Sequence, residues 1–148
     1  MKYALPLLFL ILSLNSLGRH PARAVPSSQE PGARVRQEFL RAYNAKDANS
    51  VVALYAEDAA LVSDGGTFRG RDEIRNWVQA GLDQGSRLES IEPEVEKSSG
   101  TLAYGTGRSR RQVGAEVHLG QYLIVMERIG GDRKIVRHFS QNAGTIQP

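Results

Sequence analysis

Residues 121–142 read QYLIVMERIGGDRKIVRHFSQN. Two runs rich in β-branched and aromatic residues flank Gly130-Gly131-Asp132, a turn signal, so the stretch predicts two antiparallel strands. Within the first run, Tyr122-Leu123-Ile124-Val125-Met126 is apolar at every position. An antiparallel strand with one wet face alternates apolar and polar residues. Both faces of this sheet are therefore expected to be covered. Helices elsewhere in the chain supply one cover, and a second subunit packed on the outer face supplies the other.

Upstream the period-two pattern continues. Residues 87–97, 101–111, 116–128 and 134–142 predict four strands, separated by Ser98-Ser99-Gly100, Val113-Gly114 and the glycine pair at 130–131. Before Gly85 the period is helical. Val35, Phe39, Ala42 and Tyr43 share one face of a first helix, and Asp47 or Asn49 caps a short second one carrying Val51, Val52, Leu54 and Tyr55. Residues 59–63 predict a short strand, Asp64-Gly65-Gly66 a turn, and Thr67-Phe68-Arg69 a returning strand. Gly70 breaks it, and Asp72 starts a third helix with Ile74, Trp77, Val78 and Leu82 on its apolar side. Helices segregated before an antiparallel sheet give an α+β layered domain.

The chain has 148 residues, 19 Lys+Arg, 16 Asp+Glu and no Cys. That length suits one domain. The missing Cys excludes disulfides, thiolate zinc sites and cysteine nucleophiles. The net charge of +3 points toward nucleic acid until its distribution is considered. Lys2 precedes an apolar run interrupted by Pro6, Ser13, Asn15 and Ser16, too short for a span of ~20 apolar residues. Ala22-Arg23-Ala24 then fits a cleavage site, so residues 1–24 are expected to be a secretory signal. They hold Lys2, Arg19 and Arg23 and no acid, so the remainder balances at 16 basic and 16 acidic side chains. The expectation is export to the periplasm or exterior, without nucleic acid and without a lasting membrane anchor. Residues 25–32 (VPSSQEPG) are expected to be a flexible tether and residues 33–148 the domain.

FLRAYNAKDANSVVALYAEDAALVSDGG, FRGRDEIRNWV, LAYGTG and QYLIVMERIGGDRKIVRHFSQN together resemble the nuclear transport factor 2-like superfamily, closest to its SnoaL-like and ketosteroid-isomerase-like branches. The most specific pieces are Tyr55-Ala56-Glu57-Asp58-Ala59 and Gly70-Arg71-Asp72-Glu73-Ile74. The resemblance implies a cystatin-like fold: a curved antiparallel sheet wrapped as a cone around the N-terminal helices, with an apolar pocket inside. It does not carry over the isomerase chemistry. The general-base aspartate of that branch falls on Ser63, with Asp64 one residue later, and its tyrosine donor falls on Phe39. A ketosteroid isomerase needs a carboxylate to move a proton and acidic hydroxyls to hold the enolate.

The same match places Tyr43 and Trp77 at the pocket wall. It turns Tyr104 and Arg108 inward together with His118 and Tyr122, and adds His138, Ser140 and Asn142 from the last strand. A histidine ordinarily titrates near neutrality, so His138 is the leading acid–base candidate, with Tyr104 or Tyr122 as its hydrogen-bond donor. Tyr43, Trp77, Arg108, His118, Tyr122, Ser140 and Asn142 are the expected ligand contacts, Arg108 meeting an anionic group. No acid of matching parity stands beside the two histidines, so neither a metal nor a cofactor is expected. Gly105-x-Gly107 lacks the strand-to-helix setting of a phosphate loop.

These residues favour an exported small-molecule-binding domain holding an apolar or weakly anionic ligand. The alternatives are an isomerase, lyase or cyclase using His138, and a dimeric interaction module whose cone is filled.

Overall fold

The computed structural model describes residues 30–147. Helix α1 (Ala33–Asn44) and helix α2 (Ala48–Val52) lead into strand β1 (Tyr55–Ser63). Strand β2 (Gly66–Arg69), helix α3 (Gly70–Asp83) and strands β3 (Arg87–Ser99), β4 (Leu102–Val113), β5 (Glu116–Ile129) and β6 (Asp132–Ile146) follow. The expected signal lies outside the described residues. Of the expected tether, Glu30 and Gly32 are tied to the domain: Glu30 accepts from Arg36, and the Gly32 N–H donates to Glu96 at 3.1 Å.

The six strands form one curved sheet in the order β2-β1-β6-β5-β4-β3. All neighbours are antiparallel except β1 and β6, which run parallel. Register shifts leave Glu89 and Glu94 as extra residues in β3, and Val136 and Ala143 as extra residues in β6. Extra residues of this kind bend a strand and increase its twist, which curls the sheet around the helices. Pro93 is tolerated because β3 is an edge strand.

The expected α+β cone is therefore observed, with the strand ends moved by a few residues and two further changes among the helices. The second helix stops at Val52, and Tyr55 begins β1 instead of ending α2. Non-local pairing overrides local propensity here: the Ile135 N–H of β6 donates to the Leu54 carbonyl at 2.9 Å. The third helix starts at Gly70, two residues earlier than Asp72. At α2, Asp47 is the cap. Its carboxylate accepts from the Ser50 N–H at 3.0 Å and the Ser50 hydroxyl at 2.5 Å, and these bonds hold its pKa below the usual carboxylate range.

One continuous core lies between the helices and the inner face of the sheet. Val51, Val52, Tyr55, Leu61, Ile74, Val78, Met126 and Ile135 are its largest fully buried side chains. The opposite, outer face has no cover among the described residues.

Candidate functional site

Beyond the core, the helices and the inner sheet face separate and leave a cavity of about 430 Å³. Helix α1 contributes Arg36, Phe39 and Tyr43, which share one face by their three- and four-residue spacing. Helix α3 contributes Trp77 and Ala80. The sheet adds Tyr122 and Ile124 from β5, Ile135, His138 and Ser140 from β6, and Ser109 and Arg111 from β4.

His138 sits deep in this cavity and is 8% exposed. Its Nδ1 lies 2.7 Å from the Tyr55 hydroxyl, and the two rings stack at 6.0 Å. Phe39 and Trp77 meet it edge-on, at 6.5 and 6.4 Å between centroids. Burial pulls the His138 pKa down to about 4, because the imidazolium would be charged in an apolar setting. The same burial raises Tyr55 far above its ordinary value. At neutral pH both side chains are uncharged. Tyr55 is itself held by its backbone: Arg71 Nε and Nη2 both donate to its carbonyl, at 2.9 and 2.8 Å. The two sequence pieces beginning at Tyr55 and Gly70 thus meet behind His138 and fix it from the core side.

Tyr43 stacks on Phe39 at 6.1 Å, and its hydroxyl lies 2.5 Å from Ser86 Oγ, which donates to the Gly81 carbonyl at 2.7 Å. Its polar tip is spent on structure, and its ring faces the cavity. Tyr122 lies over Gly107, where an added Cβ would stand 2.5 Å from the tyrosine hydroxyl and collide with the Glu92 carbonyl. Glu96 fills the space over Gly105 in the same way, at 3.3 Å. Gly105 and Gly107 are the clearance for these two side chains. The Tyr122 hydroxyl is buried without a hydrogen-bond partner among the described residues, and desolvation pushes its pKa up to about 12. Next to it Arg36 is buried between Glu96 and Glu30, ion-paired to both.

Most of the expected ligand contacts converge. Tyr43, Trp77, His118, Tyr122, His138, Ser140 and Asn142 all line the cavity. Tyr104 and Arg108 do not, and these two placements are corrected. Tyr104 is 40% exposed on the outer face, and Arg108 is paired there with Glu94 at 2.6 Å. The cause is register. Tyr104 pairs with Val125 and Arg108 with Gln121, whereas the inward Tyr122 and Ile124 pair with Gly107 and Gly105. The odd-numbered residues of β4 therefore face in. Tyr104 cannot serve as a donor beside His138. His118 is also remote from His138: it pairs with Thr145, while His138 pairs with Ile124 six residues along β5, roughly 20 Å away at ~3.3 Å per residue. Asp64 lies on the cavity rim, where its carboxylate accepts the Asn142 N–H at 2.7 Å.

Three contributors were not anticipated. Tyr55 was expected in a helix. Arg36 stands three residues before Phe39 and seven before Tyr43, a spacing that would have put it on the cavity face. Arg111 takes the place expected of Arg108. It pairs across the sheet with His118, and no carboxylate is bound to it among the described residues. No group of three or more His, Asp or Glu side chains suited to a metal occurs among the described residues.

The SnoaL-like domain family matches residues 36–138. This chain belongs to that family. Its structural relatives agree. An NTF-2 like protein of unknown function from Shewanella oneidensis superposes with a TM-score of 0.66 at 19% identity, covering 73% of this chain and 93% of the other. A ketosteroid isomerase-like protein from Erwinia carotovora gives 0.65 at 17% identity, covering 77% and 98%. An NTF2-like protein with a cystatin-like fold from Novosphingobium aromaticivorans gives 0.64 at 16% identity, covering 74% and 78%. At these identities the likeness concerns the fold alone. A search of curated proteins finds no match.

Proposed function

We propose that this SnoaL-like domain binds a small molecule with an apolar body and a weakly anionic head. The observation that carries the reading is the open cavity of about 430 Å³ with an aromatic floor and, in its wall, an Arg111 bound to no carboxylate among the described residues. Cavities of this size suit a small organic ligand, and concave apolar walls with few polar groups are the usual form of such sites. A filled cone, as an interaction module without ligand requires, is not what these side chains form. An enzyme built on His138 as acid–base has less support. Burial keeps the ring neutral to about pH 4, and of its two expected donors Tyr104 is on the opposite face while Tyr122 stands in the cavity wall. A catalytic base works best with a pKa near the operating pH.

The ligand is best sought in the protein itself. Native mass spectrometry of the protein purified from its own host should show a mass increment of a few hundred daltons, lost on denaturation. A bare polypeptide mass in every preparation, together with no small-molecule binder in a thermal-shift screen, would reject the reading.

We further infer a homodimer through the outer sheet face. Leu102, Tyr104, Leu123 and Phe139 are exposed there, Phe139 at 51%. Contiguous apolar surface of this kind marks interaction sites. Export to the periplasm or exterior rests on the pattern of residues 1–24. A secreted or periplasmic form beginning at Val25 is the expected product of N-terminal sequencing.

A further inference from the structure

The hydrogen bond between Tyr55 and His138 decides which proton the ligand meets. Tyr55 is fully buried, and its hydroxyl has His138 Nδ1 as its partner, with no second acceptor near it among the described residues. Were Nδ1 the donor, the tyrosine proton would point into the apolar core unpaired, an uncompensated desolvation cost. With Tyr55 donating, both groups are satisfied, and the ring carries its proton on Nε2. The ring lines the cavity, so its remaining exposure is to that space, and no protein group accepts from Nε2 among the described residues. Phe39 and Trp77 pack edge-on against the ring, Tyr55 stacks on it, and Arg71 clamps the Tyr55 backbone. The donor is thus fixed in position as well as in kind.

We propose that the Tyr55–His138 pair is a preset hydrogen-bond donor on the cavity floor, and that the natural ligand carries a carbonyl oxygen at its apolar end to accept from His138 Nε2. The inference rests on the ligand-binding reading above and narrows it to one chemical class: an amphiphile with a ketone, ester or quinone carbonyl in the floor. It assigns His138 the role of donor and Tyr55 that of a positioning residue. Since a buried donor left unpaired is unfavourable, a carbonyl ligand should be favoured over a hydrocarbon of the same shape.

Two measurements on the full chain test this. The first is a two-bond nitrogen–proton correlation spectrum of the histidines at pH 7. His138 should show a protonated Nε2 and an unprotonated Nδ1. A protonated Nδ1 would overturn the proposal without any ligand being present. The second is calorimetry with decanoate and 9-oxodecanoate, which differ by a ketone at the end remote from the carboxylate. The ketone should bind about fivefold tighter, the worth of one ordinary hydrogen bond. The preference should vanish in His138→Phe, and it should shrink in Tyr55→Phe, where the ring is free to exchange tautomers. Equal affinities in the wild type would overturn the donor while leaving the cavity reading intact. Binding of neither probe would count against the cavity reading itself and remove the proposal with it.

Discussion

The two faces of strands β4 to β6 are built from similar residues and put to opposite uses. On the inner face Ile124, Met126 and Ile135 are buried under the helices, and Tyr122 and His138 border a cavity. On the outer face Leu102, Tyr104, Leu123 and Phe139 are equally apolar and lie exposed. Apolar composition alone does not distinguish the two. What distinguishes them is polar bookkeeping. The inner face carries a positioned histidine and glycines that make room for large side chains, and a buried ion pair between α1 and β3 borders it. The outer face carries apolar side chains with surface ion pairs such as Arg108–Glu94 at its margin. An inner face so furnished is specific to what it encloses, whereas the outer face is suited to a flat, apolar partner.

The largest effect on the inner face is expected at Arg36, whose side chain is 7% exposed against 4% for Glu96. Arg36→Ala strands Glu96 as an unpaired buried carboxylate and should cost about 3 kcal/mol or more of unfolding free energy in urea. The double change Arg36→Met with Glu96→Leu should recover most of that loss, because an apolar pair can replace a buried ion pair. A double variant as unstable as the single one would mean that the pair does more than neutralise itself.

His138 sets the next largest effect. Its pKa falls from 6.5 to about 4 on folding. Between these values the unfolded chain takes up a proton that the folded chain refuses, so stability declines as pH falls through that window and is fully present above it. The expected loss from pH 7 to pH 5 is about 2 kcal/mol. Thermal unfolding of wild type and His138→Gln at both pH values isolates this share. Parallel pH dependence in the two proteins would show that His138 is not buried neutral. At Gly107, an alanine has to displace Tyr122 or the Glu92 backbone. Gly107→Ala should cost roughly 1–3 kcal/mol, whereas Gly114→Ala, with nothing within 4 Å of its added carbon, loses only what its backbone angle of +61° imposes.

The smallest effect on folding is expected on the outer face. Phe139→Ser should change monomer stability by less than about 0.5 kcal/mol and should shift the sedimentation coefficient from dimer to monomer. A wild-type protein that sediments as a monomer at micromolar concentration would remove the outer-face partner, and with it the contrast between the two faces.

Much of the fold was legible because its signals are local. The change from helical to period-two spacing at Gly85, and the glycine turns at 100, 114 and 130–131, mark the strands of the cone. The interior of β4 was not legible from β5, because Tyr122 to Met126 is apolar on both faces and gives no inside or outside. The pairing across the tight turn between Val113 and Glu116 contains the answer: counting back from it sets Tyr104 opposite Val125. Tyr55 was misplaced for a different reason. Leu54-Tyr55 is equally compatible with a helix end or a strand start, and only the parallel partner β6, some eighty residues away, decides between them. Arg111 faces the cavity for the same reason that Arg108 does not: the register with β5 turns the odd-numbered residues of β4 inward.

The sequence holds a single tryptophan, Trp77, and it stands in the cavity wall. Energy transfer from it to bound 8-anilinonaphthalene-1-sulfonate, an apolar anion, therefore reports binding anywhere near the sheet, and substitutions on the two faces tell which of them holds the probe. A ligand cavity requires saturable transfer at one probe per chain, retained in Phe139→Ser and strongly reduced in Ala80→Phe, which projects a ring into the space. Transfer that fails to saturate, or that is lost in Phe139→Ser and kept in Ala80→Phe, would contradict the cavity as the binding site.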